Sequence, residues 1–317
     1  MTVALAVHGL RKAYGSRAAL DGLDLEVPTG TVYGFLGPNG AGKTTTMRLL
    51  VGLIRPDAGT MQVLGQPYSW RDRHRLFQVG ALIEAPSFYP FLSGRENLRA
   101  VAATGAPVPR GRVEEMLELV GLRERAGDKV GGYSLGMKQR LGIAAALLSD
   151  PSLLLLDEPA NGLDPGGIVG MRDTLRQLAA AGKTVFVSSH ILPEVEQLAD
   201  VVGIIARGRL VREGRIQDLL ASSALIRARV PAAQAVGAQA AAAARFGAGA
   251  ITVQADGDSA WLAVHTDGSR SGELNQLLAG AGIYASRLEA GSDLESLFLE
   301  LTGEGTPAGG IGIGGVA

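Results

Sequence analysis

One eight-residue segment constrains the fold of this chain more than any other part of its sequence. In order, its residues are Gly37, Pro38, Asn39, Gly40, Ala41, Gly42, Lys43 and Thr44. The pattern G-x-x-x-x-G-K-[ST] is typical of loops that bind the phosphates of a nucleoside triphosphate. The glycines let successive backbone N–H groups point at one anion, Lys43 can reach the terminal phosphates, and the Thr44 hydroxyl can ligate magnesium. The alternative is a plain glycine turn.

The residues on either side of this phosphate loop predict the structure that carries it. The short apolar run Thr31–Leu36 is typical of a buried strand, and Thr45–Leu53 has helical character. A helix that begins near Gly42 would add the positive end of its dipole to the phosphate site. The sequence therefore predicts a strand–loop–helix unit, with Thr45 included among the residues that bind the nucleotide.

Composition limits the classes of protein to which the chain can belong. It has 317 residues, a formal net charge of −1 and no cysteine. The near-neutral charge argues against nucleic-acid binding. The lack of cysteine excludes disulfides and thiolate metal sites, and it suits a reducing cytosol. There is no signal-peptide pattern and no apolar run of about 18 residues that would predict a membrane span. We therefore expect a cytoplasmic protein whose contact with any membrane is peripheral.

The order of apolar and helical segments predicts two domains and a tail. Residues 1–222 alternate short strands with helices, which indicates an α/β fold with a mostly parallel sheet and a small antiparallel sheet near the N-terminus. Residues 223–303 have the order β-α-β-β-α-β followed by a helix at 294–301, which predicts a small α+β domain of the ferredoxin-like type. Residues 304–317 are rich in glycine, and we expect them to be disordered.

Local patterns predict the individual elements of the first domain. Ser93, followed three residues later by Glu96, forms a capping-box pattern that marks the start of a helix. Short apolar runs predict the strands of the large sheet, which are Thr31–Leu36, Val79–Ile83, Leu153–Leu156, Thr184–Ser188 and Val201–Ala206.

Two acidic residues follow the apolar run Leu153–Leu156. An acidic side chain at the end of a buried strand is costly unless something neutralises it, and magnesium beside the phosphate loop would do so. Asp157 would hold the ion, directly or through water. Glu158, one residue further along, would polarise the attacking water as general base. The alternative is an ordinary Asp-Glu turn after a strand.

A glycine-rich stretch that leads into a predicted helix offers a second anion site. Its candidate contacts are the Ser134 side chain, the Gly136 amide and the N-terminus of the helix. The first loop already binds the phosphates of one nucleotide. A second phosphate-binding surface is therefore useful if it faces the nucleotide of another subunit. The alternative is an ordinary capped helix.

A histidine follows the apolar strand Thr184–Ser188. The carboxyl ends of parallel strands share one crevice in an open α/β sheet. We therefore predict that His190 contacts the γ-phosphate, and the alternative is a histidine with a purely structural role.

Taken together, these motifs resemble the ATP-binding subunit of an ABC transporter over residues 1 to about 222. They occur in the order of that family: Tyr14, the phosphate loop, the loop after Val79–Ile83, Ser134-Leu135-Gly136, Asp157-Glu158, Asn161-Gly162-Leu163-Asp164 and His190. The resemblance implies the P-loop ABC-ATPase fold with a helical subdomain, and ATP and Mg²⁺ as ligands. It also implies that Tyr14 stacks on adenine, that Asp164 couples two sites across a dimer, and that His190 is the switch histidine. Two copies would close head to tail on two ATP molecules.

Two departures from the family pattern narrow this resemblance. The signature sequence, usually Leu-Ser-Gly-Gly-Gln, is here Tyr-Ser-Leu-Gly-Met, so Ser134 and Gly136 remain available for phosphate. The loop that usually carries a glutamine has Glu84 in its place. A carboxylate can still ligate magnesium and orient water, but it adds charge and cannot donate a hydrogen bond when ionised. The alternative is a surface glutamate in a loop.

Both departures resemble one subgroup, the ATPases of bacitracin-exporter and lantibiotic-immunity type that pair with ABC-2-like permeases. This implies a homodimeric ATPase that energises export of a drug, antibiotic or peptide. It would lie at the inner face of the plasma membrane and contact the membrane only through the permease. The segment Pro86–Leu92 carries three aromatic residues, which could receive a permease helix or pack internally.

Two other functions remain open from the sequence. A soluble ABC ATPase could act on ribosomes or DNA, but ribosome-acting members usually carry two cassettes and DNA-repair relatives carry long coiled coils. This chain has a single phosphate loop and no such insertion. A regulator that binds nucleotide without hydrolysis is the other possibility. The evidence against it is the presence of Lys43, Asp157, Glu158 and His190.

Overall fold

The structure is a computed structural model that describes residues 2–105, 107–222 and 224–292. These residues form two units, of which the first ends at Arg215 and the second begins at Ile216. The elements of the first unit are β1 (Val3–Tyr14), β2 (Arg17–Pro28), β3 (Val32–Leu36), α1 (Lys43–Leu50), β4 (Ala58–Val63), β5 (Gln66–Tyr68), β6 (Val79–Leu82), α2 (Gly94–Thr104), α3 (Arg112–Leu119), α4 (Leu135–Leu147), β7 (Leu153–Asp157), α5 (Pro165–Ala180), β8 (Thr184–Ser189), α6 (Leu192–Leu198), β9 (Val201–Ala206) and β10 (Arg209–Arg215).

A six-stranded sheet in the order β10-β9-β3-β8-β7-β6 forms the centre of the first unit. Strands β6 to β9 and β3 run parallel, whereas β10 pairs antiparallel with β9 at one edge. All residues of β3, β7 and β8 are buried, which explains their continuous apolar sequences. The phosphate loop, Asp157-Glu158 and His190 follow these three neighbouring strands. Because these strands are parallel, the three segments lie together at the carboxyl ends of the strands, as predicted.

A second, antiparallel sheet in the order β2-β1-β4-β5 packs over the same core. Its apolar side chains share one buried cluster with the central strands and with α1, and this cluster includes Leu5, Leu23, Phe35, Met47 and Phe186. The α/β class with an N-terminal antiparallel sheet is confirmed. The sequence predicted only parts of β1 and β2 and did not predict β4, β5 or β10.

Helices α2, α3 and α4 form the predicted helical subdomain. Their buried residues, which include Leu98, Leu117 and Leu141, belong to one cluster that continues under the central sheet. The capping box at the start of α2 is present, since the Ser93 side chain accepts from the backbone N–H of Glu96 and the Glu96 carboxylate accepts from that of Ser93. Within the described residues, no helix combines the length and apolar character that crossing a membrane requires.

The second unit contains a four-stranded antiparallel sheet with helices on one face. Its elements are α7 (Ile216–Ser222), β11 (Ala224–Pro231), α8 (Ala235–Phe246), β12 (Ile251–Asp256), β13 (Ser259–His265), α9 (Ser271–Gly280) and β14 (Arg287–Ser292). The strand order β12-β13-β11-β14 with all-antiparallel pairing is that of a ferredoxin-like sandwich, as predicted. Helices α8 and α9 contribute Ala238, Leu274 and Leu278 to its core. The helix predicted at 294–301 and the tail at 304–317 lie outside the described residues.

Candidate active site

The phosphate loop connects β3 to α1 and depends on glycine for its shape. Gly40 and Gly42 have φ angles of +81° and +115°, which L side chains rarely adopt. A Cβ atom on Gly42 would lie 2.7 Å from the carbonyl oxygen of Ala19, so space as well as backbone conformation requires glycine there. Helix α1 begins at Lys43, and its first backbone N–H groups are available to an anion.

Lys43 is held at the mouth of this loop. Its side chain is only 6% exposed, and its ammonium donates to the carbonyl oxygen of Gly37 at 2.7 Å. The same Nζ lies 3.2 Å from Oε1 of Glu158. These contacts fix the positive charge of Lys43 between the phosphate loop and the end of β7. A terminal phosphate bound by the loop would lie next to this charge.

Asp157 ends β7 and is almost fully buried, with 4% exposure. Its Oδ2 accepts from the Thr44 hydroxyl at 2.8 Å, and its Oδ1 accepts from the Ser188 hydroxyl of β8. The buried carboxylate is therefore satisfied by hydrogen bonds. A carboxylate and a hydroxyl in contact, beside a phosphate loop, are the hard oxygen ligands that Mg²⁺ prefers together with phosphate and water. Thr44 and Asp157 thus fit the predicted ion.

Glu158 connects three segments of the site. Besides Lys43, it meets His190, whose Nδ1 lies 2.8 Å from Oε2 of Glu158, and its backbone N–H donates to Ser188 Oγ at 3.0 Å. Its φ angle is +48°, in a region that non-glycine residues rarely occupy and that costs about 1–3 kcal/mol. Such strain persists only where surrounding contacts enforce it. The contacts of Glu158 aim one carboxylate at the space between the lysine and the histidine.

The cleft around the phosphate loop brings together most of the predicted site residues. It is lined by Tyr14, Arg17, Ala19, Asn39, Gly40, Gly42, Lys43, Thr44, Thr45, Glu84, Glu158, Asn161 and His190. Tyr14 is 49% exposed at the end of β1, and the Lys12 ammonium lies 5.7 Å from the centroid of its ring, so part of the ring is open to a planar ligand. Sequence reasoning missed Arg17, which lies over the loop with its Nη2 only 3.1 Å from the point where a Cβ of Gly40 would stand. Its position next to the turn after Tyr14 was the available signal.

Glu84 lies in the loop after β6 and has a φ angle of +64°. It lines one cavity with Thr44, Asp157 and Glu158. Its carboxylate, however, forms an ion pair with Arg48 of α1, which sequence reasoning had not singled out.

The three residues predicted to contact a second subunit lie at the starts of α4 and α5. The Ser134 hydroxyl caps α4 by accepting from the Met137 N–H at 3.2 Å, and Asp164 caps α5 by accepting from the Gly167 N–H at 3.1 Å. Gly136 lies against the loop before α5. Within the described part of the chain, none of Ser134, Gly136 and Asp164 lines the cleft of its own phosphate loop. The hydroxyl of Ser134 does cap its helix, but its side chain is exposed and open to a partner.

Comparison with known proteins decides the family. A family model described as "ABC transporter" matches residues 20–161. The bacitracin transport ATP-binding protein BcrA of Bacillus licheniformis is 48% identical over 214 residues, which cover 67% of this chain and 70% of that protein. The chain belongs to the ABC transporter ATP-binding proteins. It is thus an ABC ATPase, and its cassette binds nucleotide, as the motifs predicted.

Further relatives support the same family and fold for this ABC ATPase. The lantibiotic transport ATP-binding protein SrtF of Streptococcus pyogenes is 43% identical over 209 residues, which cover 66% of this chain and 90% of that protein. Among solved structures, cbiO1 from Clostridium perfringens, described as part of the ABC transporter complex cbiONQ, matches with a TM-score of 0.63. The two are 26% identical, and the match covers 69% of this chain and 91% of cbiO1.

Glu194 of α6 lies close to the Glu158 carboxylate of this ABC ATPase and was not identified from the sequence. Its Oε2 is 3.5 Å from the Ser189 hydroxyl. Burial raises the pKa of Glu194 above its ordinary value of 4.5, the Ser189 hydroxyl opposes this rise, and the nearby carboxylate of Glu158 adds to it. The folded state therefore binds the Glu194 proton more tightly than the unfolded state does.

Glu194→Gln is expected to remove a pH dependence of stability. A raised pKa stabilises the folded state below about pH 4.5 and loses that contribution as the pH rises through the folded-state value. The wild-type free energy of unfolding should therefore fall relative to the variant as the pH rises from about 4.5 to 7, by less than about 1 kcal/mol because the side chain is only partly buried. Urea unfolding at several pH values measures this difference. Glu124→Gln, at an exposed loop position, should keep the wild-type slope; a Glu194→Gln variant with the wild-type slope would contradict the assignment.

Proposed function

We propose that this ABC ATPase energises the export of an antibiotic or peptide across the plasma membrane. The observation that carries the proposal is the contact of Glu158 with both Lys43 and His190 at the end of the phosphate loop. This arrangement is suited to hydrolysis rather than to nucleotide binding alone, because a carboxylate lies where an attacking water must be oriented. The names of the relatives, which refer to bacitracin and lantibiotic transport, support the class of cargo.

Six side chains in or beside the cleft have assigned roles in this proposal. The loop amides and Lys43 bind the β- and γ-phosphates, and Tyr14 stacks on adenine. Thr44 and Asp157 would hold Mg²⁺, which would neutralise charge on the phosphates. Glu158 accepts the proton of the attacking water, and His190 holds the Glu158 carboxylate while its exposed side approaches the γ-phosphate.

The working unit in this proposal is a homodimer. Ser134 and Gly136 lie on the surface at the N-terminus of a 13-residue helix, α4, where anions are favoured. Placed against the cleft of a second copy, they would complete the contacts to its γ-phosphate. Asp164, at the start of α5, would lie at the same interface and couple the two sites.

The partner in this proposal is an ABC-2-type permease in the plasma membrane. Of the three aromatic residues after Glu84, Phe88 packs against the helical subdomain, whereas Tyr89 and Phe91 are exposed. Their rings lie 5.7 Å apart and form a small apolar surface that suits a permease segment. The ATPase would lie on the cytoplasmic side and contact the membrane only through this permease. Nucleic acid is not a partner in this proposal.

A mixing experiment tests the shared site. Lys43→Ala and Gly136→Asp are each expected to abolish hydrolysis by the purified full-length protein. In a head-to-tail dimer, the two variants together leave one of the two sites of each heterodimer intact. An equimolar mixture should therefore recover about one quarter of the wild-type rate, since half of randomly assorted dimers are heterodimers.

The matched control mixes Lys43→Ala with Glu158→Gln. Both changes lie on the side of the site that one subunit provides, so every site in this mixture carries a lesion and no activity should return. Equal recovery in both mixtures, or none in either, would contradict the shared site. The exporter assignment is tested separately by isolation from membranes together with a polytopic protein, and quantitative recovery with ribosomes would contradict it.

A further inference from the structure

The ion pair between Arg48 and Glu84 joins α1 to the loop after β6. Arg48 lies on the helix that begins with Lys43, and Glu84 lies where related cassettes usually carry an uncharged glutamine. Both side chains remain partly in solvent, at 37% and 55% exposure. Half-exposed ion pairs contribute little to stability and are readily exchanged for another partner. This contact is therefore poorly suited to holding the fold together.

The charges of the surrounding cavity indicate what the pair does instead. Glu84, Asp157 and Glu158 line this cavity together with Thr44. Asp157 is satisfied by hydroxyl groups and Glu158 by Lys43 and His190. The charge of Glu84 is compensated by a cation of α1, which an uncharged glutamine would not need.

The backbone of Glu84 adds a second observation. Its φ angle of +64° is rarely adopted by a residue with a side chain, and the cost is of the kind that persists at switch regions. Departure of the carboxylate from Arg48 would remove one contact of this strained residue. The position of the loop would then depend on which cation Glu84 meets.

We propose that Arg48 is a positioning residue for Glu84. It pairs with the Glu84 carboxylate while the site lacks metal, and it gives up this carboxylate as a ligand for Mg²⁺ when Mg²⁺ binds with ATP. The inference rests on the proposed nucleotide site and adds a cation exchange to it. Arg48 neutralises Glu84 before metal binds, so that the carboxylate does not repel the triphosphate. The divalent ion then displaces the guanidinium, and the loop that carries Glu84, Tyr89 and Phe91 senses the metal–nucleotide complex.

Equilibrium binding of ATP to the full-length protein tests this exchange. The measured quantity is the ratio of the dissociation constant in EDTA to that in Mg²⁺, determined by calorimetry for the wild type, Arg48→Gln, Glu84→Gln and the double variant. Arg48→Gln frees the carboxylate, which should weaken metal-free ATP binding and favour the Mg²⁺ complex. Replacing Arg48 with Gln should raise this ratio about threefold to tenfold more when residue 84 is the native Glu than when it is already Gln. The general charge effect of removing an arginine is the same in both backgrounds and cancels in this comparison.

Two controls separate this role from a structural one. Arg48→Lys keeps the charge and should keep the wild-type ratio, and Arg99→Gln changes an exposed arginine on α2 and should have no effect. An Arg48→Gln effect that is equal in both backgrounds would overturn the proposal, even if the melting temperature changed. Failure of the nucleotide site itself gives a different result, since the wild type would then bind ATP no better than Lys43→Ala.

Discussion

Glu158→Gln is expected to slow ATP hydrolysis about a thousandfold while ATP binding is retained. A general base contributes roughly 10²–10⁴ to the rate, and an amide cannot accept the proton of the attacking water. Glutamine has the same shape and can keep a hydrogen bond to His190, so the geometry of the cleft should persist. Removal of one negative charge beside the triphosphate should leave ATP affinity equal or higher.

The rate of phosphate release under saturating ATP measures the loss of hydrolysis. Equilibrium binding of ATP measures whether affinity is retained. Accumulation of an ATP-bound dimer in size-exclusion chromatography would agree with it, because the dimer closes but cannot reopen by hydrolysis. Glu194→Gln serves as the control, since this carboxylate lies close by but does not contact Lys43 in the described structure. Hydrolysis by Glu158→Gln at the wild-type rate would remove Glu158 from its catalytic role.

Lys43→Ala is expected to reduce ATP affinity at least about a hundredfold. Truncating one partner of a buried, hydrogen-bonded charge pair costs about 2–5 kcal/mol, and a factor of one hundred corresponds to about 2.8 kcal/mol. The variant removes the ammonium that a terminal phosphate would meet. It also leaves the Glu158 carboxylate, which is only 18% exposed, without the ammonium that lies 3.2 Å from it.

Calorimetric titration with Mg-ATP measures the loss, and a thermal melt shows whether the variant is folded. Lys183→Ala is a suitable control, because Lys183 pairs with Asp150 at 2.7 Å, outside the residues that line the cleft. Its ATP affinity should equal that of the wild type. Wild-type affinity in Lys43→Ala would show that the loop does not bind phosphate as proposed.

Strands were predictable from the sequence where burial makes them continuously apolar. This holds for β3, β7, β8 and β9 of the central sheet, and the first three of these strands place the candidate site residues. Strands β4 and β10 were missed because many of their residues are exposed and their sequences lack an apolar run. A turn signal for β10 was nevertheless available, since Gly208, with a φ angle of +76°, separates it from β9.

The candidate site was predictable as far as motifs at strand ends could place it. The approach of Lys43, Glu158 and His190 follows from parallel strand order alone. The partner of Glu84 could not be found in this way, because an arginine on a helix 36 residues earlier looks like a solvated surface charge. Contacts of this kind depend on how a loop folds back onto a helix, which no local sequence pattern encodes. The roles assigned to these residues remain predictions.

The strand order has a consequence for synthesis of the chain on the ribosome. Strand β3 ends at Leu36, yet both of its neighbours are translated much later, since β8 begins at Thr184 and β9 at Val201. Until then an apolar strand has two unpaired edges, which is a template for aggregation. A chain that ends before β7 would carry this exposed strand and a phosphate loop without Glu158 or His190. Both neighbours of β3 are therefore available only when translation has nearly reached the end of the cassette.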